Sequence, residues 1–96
     1  MSNQFPMIVK FEVKANKIDF VKSELLKLLE PTRKEIGCVQ YDLHQDIEDP
    51  CVFMFYEIWE TKEAWKAHDS KQHVLDFIKA IDGSIDKITH NKLKLL

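Results

Sequence analysis

Three candidate acid–base side chains, Glu57, His68 and His73, fall within one stretch of the chain, between residues 52 and 73. Glu57 stands inside the most apolar segment, VFMFYEIW, and His68 and His73 follow it. Because burial disfavours a charged carboxylate, Glu57 is expected to have a hydrogen-bond donor nearby. His68 is the natural candidate, and a histidine oriented by a glutamate can act as a general base. The same pair can also be read as a structural hydrogen bond between helix and strand. We predict His68 and Glu57 as the catalytic residues.

The two histidines are also candidates for metal ligands. His68 and His73 are five residues apart, so on one continuous helix they point roughly 140° from each other. Helical ligand pairs use a separation of four. A break at Asp69-Ser70, two residues that favour caps and turns, could rotate them together. We predict no metal site and place His73 at the rim of a pocket.

Aromatic residues surround these groups in the sequence. Flat apolar walls around one or two polar groups suit a small aromatic substrate, and tyrosines can add a phenolic hydrogen bond. Packing in the core is the alternative for each aromatic ring, and exposure to solvent is the alternative for His44. The predicted substrate-binding residues are Tyr41, His44, Tyr56, Trp59, Trp65 and His73.

The elements that must position these side chains follow the order βαββαβ. Alternating apolar residues predict strands over residues 6–13 and 38–46. A near-continuous apolar run predicts a strand over 51–60, and a mixed pattern predicts the last one over 84–95. Asn16 is predicted to cap the first helix, which should kink or end at Pro31. The second is predicted to begin with Thr61 as its N-cap, to break at Asp69-Ser70 and to end at Gly83. Two such crossovers on one antiparallel sheet predict an α+β, ferredoxin-like sandwich that takes up residues 1–96 as a single domain.

Strand pairing decides which side chains share a face. If Asp46 faces Cys51 across the turn, Gln40 lies opposite Glu57. Residues opposite each other share a face, so Gln40, Asp42 and His44 would then lie beside Glu57. The two cysteines, Cys38 and Cys51, would be about 20 Å apart at the rise of a strand, so we predict that they form no disulfide.

The strand that holds Glu57 is apolar on both sides, whereas two helices can cover only one face of the sheet. A second copy of the chain is the simplest cover for the other face. We therefore predict a homodimer in which two sheets pack together. A monomer would leave a large apolar patch exposed, which is rare in monomeric proteins.

Composition excludes several classes of function. The net charge is −2, which gives no general attraction to a phosphate backbone. GxGxxG, P-loop and GxSxG patterns do not occur in the sequence. No apolar run approaches the roughly 18–20 residues of a membrane span, and the first residues do not resemble a secretory signal. We predict a cytoplasmic protein that binds neither nucleic acid nor membrane.

The segment FYEIWETKEAWKAH, followed four residues later by His73 and preceded by Gly37-Cys38 and Tyr41, resembles the antibiotic biosynthesis monooxygenase family of dimeric α+β barrels. One branch of that family oxidises quinols or phenols without metal or flavin. The resemblance implies that a histidine, here His68, deprotonates the substrate and that the resulting anion reduces dioxygen directly. The Asn–Trp–His set of haem-degrading relatives has no counterpart here.

Two alternatives from other classes stay open. A second branch of the family processes the phosphorylated autoinducer-2 signal, and an isomerase of that kind would need cations around the phosphate. Lys10, Lys66 and Lys71 are the candidates. A dimer that binds a small molecule without turning it over would keep the same pocket.

Overall fold

The computed structural model describes residues 4–96 as a sheet of four strands with helices on one side. The strands are Phe5–Val13 (β1), Cys38–Gln45 (β2), Val52–Trp59 (β3) and Ile85–Lys92 (β4). The helices are Ile18–Leu26 (α1), Leu29–Arg33 (α2), Lys62–Asp69 (α3) and Gln72–Ala80 (α4), with a 3-10 turn at Ala15–Lys17. Among residues 4–96, no helix has the length and apolar character that crossing a bilayer requires.

The sheet is antiparallel throughout, with the order β2-β3-β1-β4. One helical crossover therefore joins the central strand β1 to the edge strand β2, and the other joins the central strand β3 to the edge strand β4. This order is that of a ferredoxin-like fold, and the predicted α+β class is confirmed.

The core lies between one face of this sheet and the helices. Along β1 every second residue is buried, from Phe5 to Val13, and these side chains pack with Val21 and Leu25 of α1. Phe77 of α4 meets Phe11 edge to face, with ring centroids 5.8 Å apart. We call this side the covered face. The other side, the open face, has half-buried apolar side chains on its two central strands, at Ile8, Met54, Tyr56 and Ile58.

The register between β2 and β3 differs from the prediction by one residue. Tyr41, not Gln40, lies opposite Glu57. The carboxylate of Asp46 accepts hydrogen bonds from the backbone N–H groups of Glu48 and Asp49, at 2.8 and 3.2 Å. Because of this turn, Cys51 stays in the loop. The N–H of Asp46 donates a hydrogen bond to the carbonyl of Val52, so Asp46 does not face Cys51 as predicted.

A shift of one residue moves each side chain of a strand to the opposite face. Tyr41 and Leu43 therefore join Glu57 on the covered face, while Gln40, Asp42 and His44 lie on the open face. The placement of those three polar residues beside Glu57 was wrong. Cys38 and Cys51 are free thiols at opposite ends of the hairpin, as predicted.

Two local signals in the second crossover are confirmed. Thr61 caps α3, because its hydroxyl accepts a hydrogen bond from the N–H of Ala64 at 3.1 Å. The helix ends at Asp69 and a new helix begins at Gln72. The intervening break changes the direction in which later side chains point.

The first crossover breaks earlier than predicted. Helix α1 ends at Leu26, and Pro31 lies in the first turn of the short α2, where its missing N–H removes no helical hydrogen bond. The loop after α2 turns at Gly37, whose φ of +87° favours glycine. A Cβ at Gly37 would lie 2.5 Å from the Cβ of Ala64, so the loop packs closely on α3. This contact holds Glu35 beside the histidines.

Candidate active site

One carboxylate joins the two histidines of the second crossover. Oε2 of Glu35 lies 2.7 Å from Nδ1 of His68 and 2.8 Å from Nε2 of His73. The side chains of Glu35 and His68 are 6% and 8% exposed, against 24% for His73. An ionised carboxylate can only accept hydrogen bonds, so both ring nitrogens must donate. His68 is thereby held with its proton on Nδ1 and a free lone pair on Nε2.

The ring of His68 is fixed by aromatic neighbours as well as by Glu35. Its centroid lies 4.9 Å from the indole of Trp59 and 5.7 Å from the ring of Tyr41. Within the described part of the chain, no hydrogen bond is formed by Nε2 of His68. An oriented imidazole with an unused basic nitrogen is the arrangement that a general base needs.

His68 lines a cavity of about 120 Å³ between the covered face and the helices. A cavity of roughly 150 Å³ is known to accept benzene, so this one suits a molecule with a single ring. Its walls are mainly aromatic and aliphatic, with a few polar groups. The apolar lining is formed by Val9, Phe11, Leu28, Phe55, Trp65, Val74, Phe77, Ile78 and Ile88, and the polar lining by Tyr41, Glu57, His68, Asp69 and His90.

Glu57 is the second buried carboxylate of the site, 3% exposed on β3. Its Oε1 accepts a hydrogen bond from Nε1 of Trp59 at 2.9 Å. Burial raises its pKa to about 7, and the nearby charges of Asp69 and Glu35 act in the same direction against the Trp59 bond. Glu57 can therefore exchange a proton near neutral pH. The predicted hydrogen bond between Glu57 and His68 was wrong, because His68 bonds to Glu35.

Tyr41 supplies a phenol at the same cavity. It stacks on Phe55 with ring centroids 4.4 Å apart and an interplanar angle of 21°. Burial, together with the charge of Glu57 on the opposite strand, raises the pKa of Tyr41 well above its usual value. The phenol therefore stays protonated and can donate a hydrogen bond to a bound molecule.

The structure brings four of the eight predicted site residues to this cavity, namely Tyr41, Glu57, Trp65 and His68. Trp59 is fully buried and holds Glu57. His73 contacts the same oxygen of Glu35 as His68 does and lines a separate small depression. Tyr56 and His44 lie on the open face, away from the cavity.

Glu35 is the site residue that sequence reasoning missed. It lies in a loop without periodicity, 33 residues before His68. One signal could have pointed to it. Two histidines on either side of a helix break both need a buried acceptor. Glu35 is one of the few acids of this chain close to the Gly37 turn, which packs on α3.

Comparison with known proteins places this geometry in a family. The family model described as antibiotic biosynthesis monooxygenase matches residues 5–80. The uncharacterized protein YjcS of Bacillus subtilis is 37% identical over 59 residues, which are 62% of this chain and 56% of that protein. The chain thus aligns with only about half the length of that relative.

Solved structures agree over nearly the whole chain. The crystal structure of PA3566 from Pseudomonas aeruginosa is 30% identical with a TM-score of 0.95, covering 100% of this chain and 97% of that one. A crystal structure described as an antibiotic biosynthesis monooxygenase is 28% identical with a TM-score of 0.90, covering 96% and 98%. Together with the family model, these similarities show that the chain belongs to the antibiotic biosynthesis monooxygenase family.

Proposed function

We propose that this protein is a monooxygenase that oxidises a single-ring quinol or phenol in the cavity beside His68, without a cofactor. The observation that carries the proposal is the buried Glu35–His68 pair, which leaves Nε2 without a hydrogen bond on a histidine that lines an apolar cavity. The family and the name of the solved relative at 28% identity support oxygenase chemistry.

In the proposed reaction, Nε2 of His68 takes the phenolic proton of the bound quinol. The resulting anion is electron-rich and gives one electron to dioxygen, and the two radicals combine at the adjacent ring carbon. The new C–O–O⁻ group takes a proton from the His68 imidazolium. Loss of the ring hydrogen with the outer oxygen as water leaves a carbonyl. A quinol and one dioxygen thus give a hydroxyquinone and one water.

The surrounding side chains have defined tasks in this scheme. Glu35 stabilises the imidazolium that forms on His68 and keeps its ring in place. Glu57, with a pKa of about 7, can accept the ring proton. The apolar walls exclude water from the radical pair, and the phenol of Tyr41 can bond to a substrate oxygen.

A neutral substrate fits the cavity better than a phosphorylated one. Its lining contains two acids, Glu57 and Asp69, which would repel a phosphate. The three candidate cations lie elsewhere: Lys10 is on the open face, and Lys66 and Lys71 are exposed on the helical side. This charge pattern favours the quinol over the phosphorylated signal molecule.

The test is oxygen uptake with a panel of hydroquinones of one, two and three rings. We expect turnover with single-ring compounds and a loss of about 10²–10⁴-fold in kcat/KM for His68→Gln, the size of a general-base contribution. Glu48→Gln, an exposed turn residue, is the control. Binding of a quinol by thermal shift without oxygen uptake would make the protein a binding module and overturn the proposal.

We also propose that two copies of the chain pack through their open faces. The half-buried apolar residues Ile8, Met54, Tyr56 and Ile58 lie at the centre of that face, and within residues 4–96 no helix covers them. Sedimentation should give twice the mass of 11.4 kDa at micromolar concentration. Ile58→Lys should give the monomer, and a wild-type monomer would contradict the proposal.

A further inference from the structure

Glu35, His68 and His73 form what we call the imidazole–carboxylate triad. Their ligating atoms all lie within 4.8 Å of one another, and the two ring nitrogens approach the same carboxylate oxygen at 2.7 and 2.8 Å. We propose that this triad is a binding site for one divalent transition-metal ion.

The distances are close to those of a ligand set. Bonds from Zn²⁺ to histidine and carboxylate are about 2.0–2.2 Å, which at tetrahedral angles places neighbouring ligand atoms about 3.3–3.6 Å apart. The two nitrogen–oxygen contacts would have to open by about 0.5–0.9 Å, and atoms of the triad that are as much as 4.8 Å apart would have to approach by about 1.2–1.5 Å. His73, with 24% of its side chain exposed, gives an ion a route from solvent.

A second observation points to a ligand on the carboxylate. The other oxygen of Glu35, Oε1, is buried and has no hydrogen-bond partner among the described residues. Buried polar atoms are nearly always paired, and an exception calls for an explanation such as an ion. A cation held by both oxygens of Glu35 would satisfy Oε1.

The donor atoms select the class of metal. Two imidazole nitrogens and one carboxylate suit Zn²⁺, Fe²⁺, Co²⁺ or Ni²⁺, whereas Mg²⁺ and Ca²⁺ prefer oxygen ligands. Three protein ligands leave at least one position for water or another small ligand. The helix break between Asp69 and Gln72 creates the site, because on a continuous helix His68 and His73 would diverge.

A metal ion bound at this site would prevent His68 from acting as the general base. A metal on Nδ1 takes the lone pair that the Nδ1 proton now occupies, so a neutral imidazole must carry its proton on Nε2. The nitrogen that faces the cavity is then no longer a base. Metal loading is therefore expected to inhibit turnover, a consequence that rests on the proposed function, whereas the binding itself does not.

The experiment titrates chelator-treated full-length protein with ZnCl₂ by calorimetry and follows two-bond ¹H–¹⁵N spectra of the four histidines. We expect one ion per chain, shifts at Nδ1 of His68 and Nε2 of His73, and unchanged rings for His44 and His90. Titration with CoCl₂ should produce visible d–d absorption. Because these readouts use the wild-type chain, they do not depend on a variant folding.

Variants then assign the ligands. His73→Gln should weaken Zn²⁺ binding by about 100-fold or more, since even the loss of an outer partner costs 10–100-fold. His44→Gln, on the exposed end of β2, should leave Zn²⁺ affinity unchanged. Spectral changes confined to His44 or His90, or no stoichiometric binding, would overturn the metal site. Oxygen uptake by the metal-free protein tests the proposed function separately.

Discussion

The chain buries two carboxylates about equally, and they are held in opposite ways. Oε2 of Glu35 receives hydrogen bonds from two imidazoles. Glu57 stands on an apolar strand with a single donor, the indole of Trp59, and burial raises its pKa to about 7. Their partners thus give the two carboxylates different tasks: Glu35 orients two imidazoles, and Glu57 can gain and lose a proton near neutral pH. The comparison predicts different responses when each is removed.

The largest effect is expected for Glu35→Ala. It leaves the buried Nδ1 of His68 and the half-buried Nε2 of His73 without their acceptor. Each buried donor left unsatisfied costs about 1–3 kcal/mol, so we expect a loss of about 4 kcal/mol in all. Urea denaturation at neutral pH measures this loss. Glu63→Ala, exposed in the first turn of α3, should change the free energy of unfolding by about 0.5 kcal/mol or less.

A loss below about 1 kcal/mol in the free energy of unfolding for Glu35→Ala would contradict this comparison, because the imidazoles would then have found other acceptors.

Glu35→Gln tests the same comparison with a smaller change. The amide oxygen can take the place of Oε2 and still accept from both histidines, but hydrogen bonds to a neutral oxygen are weaker than those to a carboxylate. Its stability should lie between those of the wild type and the alanine variant.

The next effect concerns the pH dependence of stability. The folded-state pKa of Glu57 is raised from 4.5 to about 7, so the folded chain binds this proton more tightly than the unfolded chain does. Its contribution is full below about pH 4.5 and is lost as pH rises through 7. A shift of this size is worth on the order of 3 kcal/mol.

Glu57→Gln should remove this dependence. The amide oxygen can still accept the hydrogen bond from Trp59, and no charge is created at high pH. Relative to the wild type, the variant should therefore gain about 3 kcal/mol between pH 4 and pH 8.5, measured by urea denaturation at each pH. Parallel curves for the two proteins would show that Glu57 titrates normally. Glu48→Gln is the control for an exposed acid.

The contrast between Glu35 and Glu57 also shows which features of the fold and the site can be predicted from the sequence. The Thr61 cap and the break after Asp69 follow from residues a few positions apart, and both were predicted correctly. Glu57 was identified because an acid inside an apolar strand is visible in one segment. Gln40, Asp42 and His44 were assigned to the wrong face, because the Asp46 turn sets the register through side-chain hydrogen bonds that alternation does not report.

Glu35 was out of reach for a related reason. Its role depends on a loop that closes on α3 at Gly37 and on a helix break that turns His73 back toward His68. Each feature is local, but their meeting point is defined only by the packing of two crossovers that are far apart in sequence. Hydrophobic periodicity shows which face of a strand or helix is buried, but it says much less about which loops pack together.

The smallest effect is expected when Trp59, the single hydrogen-bond donor to Glu57, is replaced. Trp59→Phe removes the indole N–H that stabilises the ionised carboxylate and keeps most of the apolar volume. A hydrogen bond to a charged group is worth about 1.5–3 kcal/mol, so the pKa of Glu57 should rise further, by about 1–2 units. A ¹³C carboxyl titration of selectively labelled glutamate would follow it directly. An unchanged pKa of Glu57 in this variant would mean that the indole N–H does not stabilise the ionised carboxylate.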